Sequence, residues 1–155
     1  MDPIQRVTSR VLPVSAEGAV LLLLDQDPAH PGVLRWGTIG GGVDAGESHE
    51  EAAVRELFEE TGVVAPITAL GSPFHTDTLA YSYDGVAYVG WSTFYAISLS
   101  RQVEVTFAHL EPLEIDNVLE ARWLTPDEVR ADGRLVVPEL PDIMTAAIAA
   151  VKDAP

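Results

Sequence analysis

The 155 residues are 47% hydrophobic and carry 24 acidic against nine basic side chains, a formal net charge of −15 at pH 7. That composition suits one cored domain and excludes a disordered chain, while the charge opposes a nucleic-acid polymer, whose affinity comes from Lys and Arg on phosphates. With no cysteine there is no disulfide, thiolate zinc site or cysteine nucleophile, which fits a reducing, cytoplasmic setting.

Residues 1–10 carry no apolar stretch of the secretory kind. The longest apolar run, residues 19–24, is far short of the ~20 residues of a membrane span. Residues 6–14 alternate as a strand, and residues 19–25, after a turn at Glu17 and Gly18, read as a buried strand. Two prolines and a glycine make residues 26–34 a loop. A short strand is expected at 34–39, followed by Gly40, Gly41 and Gly42, a run that regular elements tolerate poorly. Residues 48–61 form the clearest helix: Ser48 can cap it, Glu50 and Glu51 favour its first turn, and Gly62 ends it. Residues 67–70 and 74–80 read as strand, and Asp84-Gly85 as a hairpin turn into a long β-rich run at 86–99. Residues 101–117 are acidic and unpatterned, and 118–124 read as strand. Thr125-Pro126-Asp127-Glu128 opens a short helix with a capping box and Pro at its first position. An alanine-rich helix closes the chain at 141–152. No repeat or linker interrupts it, so residues 1–155 are read as one domain.

At 100° per residue, Val54, Leu57, Phe58 and Thr61 share one sector of the helix and are expected to face the core. Glu56, Glu59 and Glu60 lie together on the opposite side, flanked by Ala52 and Ala53. Like charges at this spacing repel by ~0.2–0.5 kcal/mol per pair, and a divalent cation sharing their oxygens reverses that sign. A solvated acidic face is the plain alternative. The glycine run, Gly46-Glu47 and Arg55 favour a site, since carbonyls can then approach a ligand while Arg55 holds a carboxylate bidentately.

Residues 41–63 run Gly41, five residues, Glu47, seven residues, then Arg55-Glu56-Leu57-Phe58-Glu59-Glu60-Thr61-Gly62-Val63. This resembles the signature of the MutT-like Nudix hydrolases, GX5EX7REUXEEXGU with U aliphatic, at every fixed position. Trp36 before the glycines and EARWLTPDEV at 120–129 are similar to the family's surroundings as well. The resemblance implies an α/β fold: an α/β/α sandwich with a mixed β-sheet and a loop–helix–loop metal site for Mg2+ or Mn2+. It implies a single Nudix hydrolase domain that splits the pyrophosphate bond of a nucleoside diphosphate linked to another moiety. The products are a nucleoside monophosphate or another phosphorylated compound. Carried over, Glu56, Glu59 and Glu60 become metal ligands together with the Gly40 carbonyl. Arg55 orients a carboxylate, Glu47 or Glu56, and Glu47 supports the loop. The implied partner is a small nucleotide-type substrate, with no nucleic-acid polymer and no membrane; a homodimer stays open.

Two positions depart from the family. Ile39 stands where a proline is common before the glycines. Asn117 stands six residues before Trp123, where many relatives carry a glutamate acting as an extra ligand or general base. The base is therefore open among Glu56, Glu114, Asp116 and Glu120; the expectation is that Glu114 or Asp116 takes the proton and Glu56 is chiefly a ligand. The missing cysteine argues against the isopentenyl diphosphate isomerase branch, and the acidity against RNA decapping. Neither residues 78–79 nor Tyr81 match the ADP-ribose or diadenosine polyphosphate patterns well. The alternative is a non-catalytic Nudix-like domain that senses a nucleotide or sugar nucleotide, although such domains usually lose Arg55, Glu56, Glu59 or Glu60. His30, His49, His75 and His109 read as surface residues. Trp36, Tyr81, Tyr83 and Trp91 read as core or cross-strand partners, and Trp123 as core.

Overall fold

The alternation near the start of the chain becomes β1 (Ile4–Val14), the centre of a computed structural model that describes residues 2–154. β1 pairs in parallel along its whole length with β6 (Val86–Ser98), from Ile4 opposite Tyr88 to Val14 opposite Ser98. β6 pairs antiparallel with β5 (His75–Tyr83), the hairpin turning through Asp84 and Gly85, both at positive φ as a tight two-residue turn requires. On its other edge β1 meets β2 (Val20–Gln26) only where Val14 lies opposite Val20. There β2 splays away to pair with β3 (Leu34–Gly37) and β7 (Val118–Leu124), and β4 (Ile39–Gly42) takes its place beside β1. The result is one mixed, seven-stranded sheet.

Helix α1 (His49–Thr61) packs on one face, and α2 (Pro126–Asp132) and α3 (Leu140–Lys152) cover the other. Val11, Leu21, Leu23, Ile39 and Leu57 fill the α1 side; Leu12, Leu22, Leu24, Trp36 and Met144 fill the α3 side. Being covered on both faces is why β2 reads as an unbroken apolar run and not as an alternating one. Each leucine so buried contributes roughly 1.5–3 kcal/mol. The Asp84 N–H donates to the Asp27 carboxylate at 2.8 Å, so the sheet curls until the β5–β6 hairpin tip touches the β2–β3 loop. Among the described residues, no helix is long and apolar enough to cross a membrane.

Three expectations need correction. Residues 67–70 are not a strand but a single 3-10 turn, Ile67–Ala69. Only Leu70 is buried there while Ile67 is exposed, so the segment has one side chain to hide and no need of an alternating face. The glycine run is not irregular: it is β4, in register with β1 from Gly40 opposite Arg10 to Gly42 opposite Thr8. The third correction concerns the helix. Phe58 is not in the core but on the surface, whereas Glu56 and Glu60, expected on the open side, are buried with Ala52 and Ala53. The small alanines let this face of α1 lie close to β4, and the carboxylates go in with it.

Trp36 is fully buried, with the Arg122 and Arg134 guanidiniums over its ring, and Trp123 packs partly buried on the α1 side. Tyr81 stacks on Tyr88 across the β5–β6 pair. Trp91 stands exposed and donates to Gln5.

Candidate metal centre

Alternation in β4 assigns each glycine a different neighbour. A Cβ on Gly41 would collide with the Glu56 carboxylate, so only glycine leaves room for that group against the strand. Gly40 and Gly42 face the other way, where Arg10 and Arg6 lie across them; a Cβ on Gly40, at φ 149°, would also strike the Ser9 carbonyl. β4 is thus a backbone-thin partition between glutamates on one side and two arginines on the other. Its edge away from β1 is closed by side chains. The Gly40 N–H donates to Glu60 Oε1 at 2.7 Å, and the Gly42 carbonyl accepts from Arg55 at 2.9 Å. In an extended strand a residue's N–H and C=O point the same way, so the Gly40 carbonyl faces this edge too.

The helix that carries the glutamates is firmly started and stopped. Ser48 and Glu51 exchange both bonds of a capping box at 3.0 Å each, and Gly62 ends the helix in the left-handed conformation with its N–H on the Phe58 carbonyl. Within it Arg55 is the hub. Its guanidinium grips Glu47 bidentately at 2.7 and 3.0 Å and reaches Glu56 at 3.1 Å and Glu59 at 3.2 Å. Glu47 in turn accepts the Asp44 N–H, tying the loop before the helix to the helix itself. Arg55 holds the Glu47 carboxyl below its ordinary range.

Elsewhere the electrostatics run the opposite way. Glu56 is pushed up to about 7, chiefly by burial, with Arg55 opposing and Glu59 and Glu114 adding to the rise. Glu60 is driven well above the carboxylate range by burial first and then by Glu114 beside it; the Gly40 N–H opposes. Glu59 is raised by burial, which the Arg55 bonds partly offset. Glu56, Glu60 and Glu114 can bring one oxygen each within 4.8 Å of one another, and so can Glu56, Glu59 and Glu111. This donor set is all hard oxygen, with anions packed closer than their own repulsion favours. It fits a hard divalent cation, and neither a thiophilic nor an imidazole-seeking metal.

The structure therefore brings together Gly40, Glu47, Arg55, Glu56, Glu59, Glu60 and Glu114. Asp116 is exposed and lies outside both groupings; its backbone carbonyl accepts from Gln26. Glu120 pairs with Arg122 on β7. Glu111 was not singled out from the sequence. Its only signal was membership of an acidic, unpatterned stretch, and its proximity to Glu56 and Glu59 comes from the path of that stretch alongside α1. The four histidines split: His30 and His109 are exposed, whereas His49 and His75 are partly buried.

Comparison with known proteins agrees with this geometry. An RNA pyrophosphohydrolase of Erythrobacter litoralis is 31% identical over 152 residues, covering 92% of this chain and 88% of that protein. The nucleoside triphosphatase NudI of Escherichia coli is 28% identical over 123 residues, covering 75% of this chain and 79% of that protein. The crystal structure of a MutT protein from Methanosarcina mazei superimposes with a TM-score of 0.71 at 15% identity, covering 99% of both chains. The model of the NUDIX domain matches residues 4–141, from the first strand through the glycine partition and the glutamate helix to the start of α3. So broad a match does not rest on a short motif alone: the chain belongs to the NUDIX domain family.

Proposed function

We propose that the chain is a Mg2+- or Mn2+-dependent pyrophosphohydrolase acting on a nucleoside diphosphate linked to another group. The observation that carries this reading is the convergence of Glu56, Glu59, Glu60, Glu111 and Glu114 beside the glycine strand. Glu56, Glu59 and Glu60, with the Gly40 carbonyl, would hold the cation. When bound, it neutralises charge developing on the phosphoryl oxygens and makes water more acidic. Arg55 keeps Glu56 and Glu59 in position and, through Glu47, ties the entering loop to the helix.

In the reaction a water oxygen forms a bond to phosphorus. The bond from that phosphorus to the bridging oxygen breaks, and its electron pair leaves with the bridging oxygen. The water's proton goes to Glu114, which sits beside Glu56 and Glu60, whereas Asp116 belongs to neither acidic grouping. Arg6 and Arg10, on the other face of β4 and without a carboxylate within ion-pair distance among the described residues, supply positive charge for the phosphates of an incoming substrate.

The names of the two relatives, an RNA pyrophosphohydrolase and a nucleoside triphosphatase, support a phosphoanhydride substrate. The net charge of −15 favours a small nucleotide over an RNA end. The match over residues 4–141 supports one such domain, and the cysteine-free chain suits the cytoplasm. The deciding assay is a panel of nucleoside triphosphates, other nucleoside diphosphate derivatives and 5′-triphosphorylated RNA, with Mg2+ or Mn2+ and with EDTA. Metal-dependent release of nucleoside monophosphate, pyrophosphate or phosphate is expected. Turnover that persists in EDTA, or binding of a nucleotide without any turnover, overturns the proposal; the second result would favour a sensing domain.

A further inference from the structure

Residues 101–117 run back along α1, and their contacts come in order. Thr106 donates its N–H to the Thr61 carbonyl at 2.9 Å, and its methyl group fills the space that a Cβ on Gly62 would need. His109 stacks on Phe58, the ring centroids 4.4 Å apart and the planes 27° from parallel. Glu111 then reaches Glu56 and Glu59, and Glu114 reaches Glu56 and Glu60. Apolar anchorage, through Val103, Val105, Phe107 and Leu110, stops just short of the two acids. Beyond it the backbone bonds are local turns, such as Glu114 N–H to the Glu111 carbonyl, until the Asn117 carbonyl accepts the Gln26 N–H at 2.9 Å and returns the chain to β2.

This arrangement poses a physical problem. Glu111 and Glu114 approach three glutamates of α1, and wherever these carboxyls are ionised, like charges at such distances push the segment away from the helix. The bonds from Gln26 to the Asn117 and Asp116 carbonyls hold the segment beyond the two acids; on the side before them the contact next to Glu111 is the His109 stack. Phe58 occupies a position that the Nudix signature leaves free, and it is 36% exposed, so core packing does not account for an aromatic ring there. Its ring is spent on the histidine.

We infer that His109 is a positioning residue: stacked on Phe58, it fixes the approach of Glu111 and Glu114 to the α1 carboxylates and so sets the affinity for the divalent cation. The inference rests on the metal-site reading proposed above. Removing the stack lets the two acids move outward under repulsion, which thins the negative charge around the cation.

Calorimetric titration of the full chain with Mn2+ tests this without any substrate. His109→Ala and Phe58→Ala should each weaken Mn2+ binding roughly three- to tenfold, the weight of one aromatic pair. The double variant should be no weaker than either single one, because both remove the same contact. His109→Phe keeps a stacking ring and should restore native affinity, with all four variants still folded in EDTA by circular dichroism and melting within a few degrees of the native chain. Native Mn2+ affinity in His109→Ala, or a His109→Phe variant as weak as His109→Ala, overturns the inference. Glu59→Gln separates the two levels. If it weakens Mn2+ binding while His109→Ala does not, only the positioning role falls. If Glu59→Gln also binds as the native chain does, the metal-site reading falls with it.

Discussion

Helix α1 and the segment 101–117 deliver carboxylates to one site by opposite means. The helix is capped at both ends, its Glu56 and Glu60 are buried against a strand of glycines, and one arginine links three neighbouring acids. The segment has no regular element beyond turns, and Glu111 is exposed. A helix places oxygens rigidly, which suits groups that must hold a cation in fixed geometry. A segment tied down at a few points can move, which suits a group that must receive a proton as the reaction proceeds. On the function proposed above, the helix would carry most of the cation binding, while Glu114 of the segment would add to it and take the proton.

Substitution can break that division. Glu60→Gln keeps the acceptor for the Gly40 N–H but removes the charge. Hydrolysis should fall by more than the roughly 10–100-fold that losing an outer partner of a metal ligand costs, with Mn2+ affinity falling alongside. Glu114→Gln should lower kcat by about 10²–10⁴-fold while Mn2+ affinity shifts no more than about tenfold. Equal loss of Mn2+ binding in both variants, measured by the same titration, would erase the distinction between helix and segment.

A smaller effect concerns the helix alone. Glu56 rises from its ordinary 4.5 to about 7 on folding without metal. As pH rises from 4.5, the unfolded chain releases this proton first, so the folded state loses stability through pH 7. Asp25, raised by burial to about 6, has the same sign; Glu47 and Glu50, held low by Arg55 and by Tyr95, act only below that window. The melting temperature in EDTA should therefore fall from pH 5 to pH 8, and Glu56→Gln should flatten the slope by on the order of 1–3 kcal/mol. Identical slopes in the native chain and the variant would contradict the burial described for Glu56.

What could be read in advance was whatever local chemistry dictates. Ser48 announced a helix cap and Thr125 with Glu128 a capping box; both formed, and at Ser48 the structure adds the return bond from Glu51 that makes it a capping box as well. The spacing of Arg55, Glu56, Glu59 and Glu60 announced a shared site. The orientation of α1 was not legible, because a helical wheel sorts by polarity and sends glutamates outward. Here the inward face was chosen by Ala52, Ala53 and the missing Cβ of Gly41, whose role depends on a strand far earlier in the fold. Glu111 was hidden for a related reason. Nothing in an unpatterned stretch says where its chain will pass, and the aromatic contact that fixes the path joins residues 51 positions apart (109 − 58 = 51).

The open edge of β4 has a consequence for how the protein behaves in company. A strand paired on one side only offers its free N–H and C=O groups to any passing chain, and edges of this kind seed aggregation. Here Glu60 and Arg55 occupy those groups at Gly40 and Gly42. The two residues that the proposed function places at the metal site therefore also blunt this edge. Truncating Glu60 to alanine would strip the acceptor from the Gly40 N–H and leave a flexible, side-chain-free strand ready to pair with another molecule. On the function proposed above, the same two side chains would serve the metal site and shield this edge from pairing.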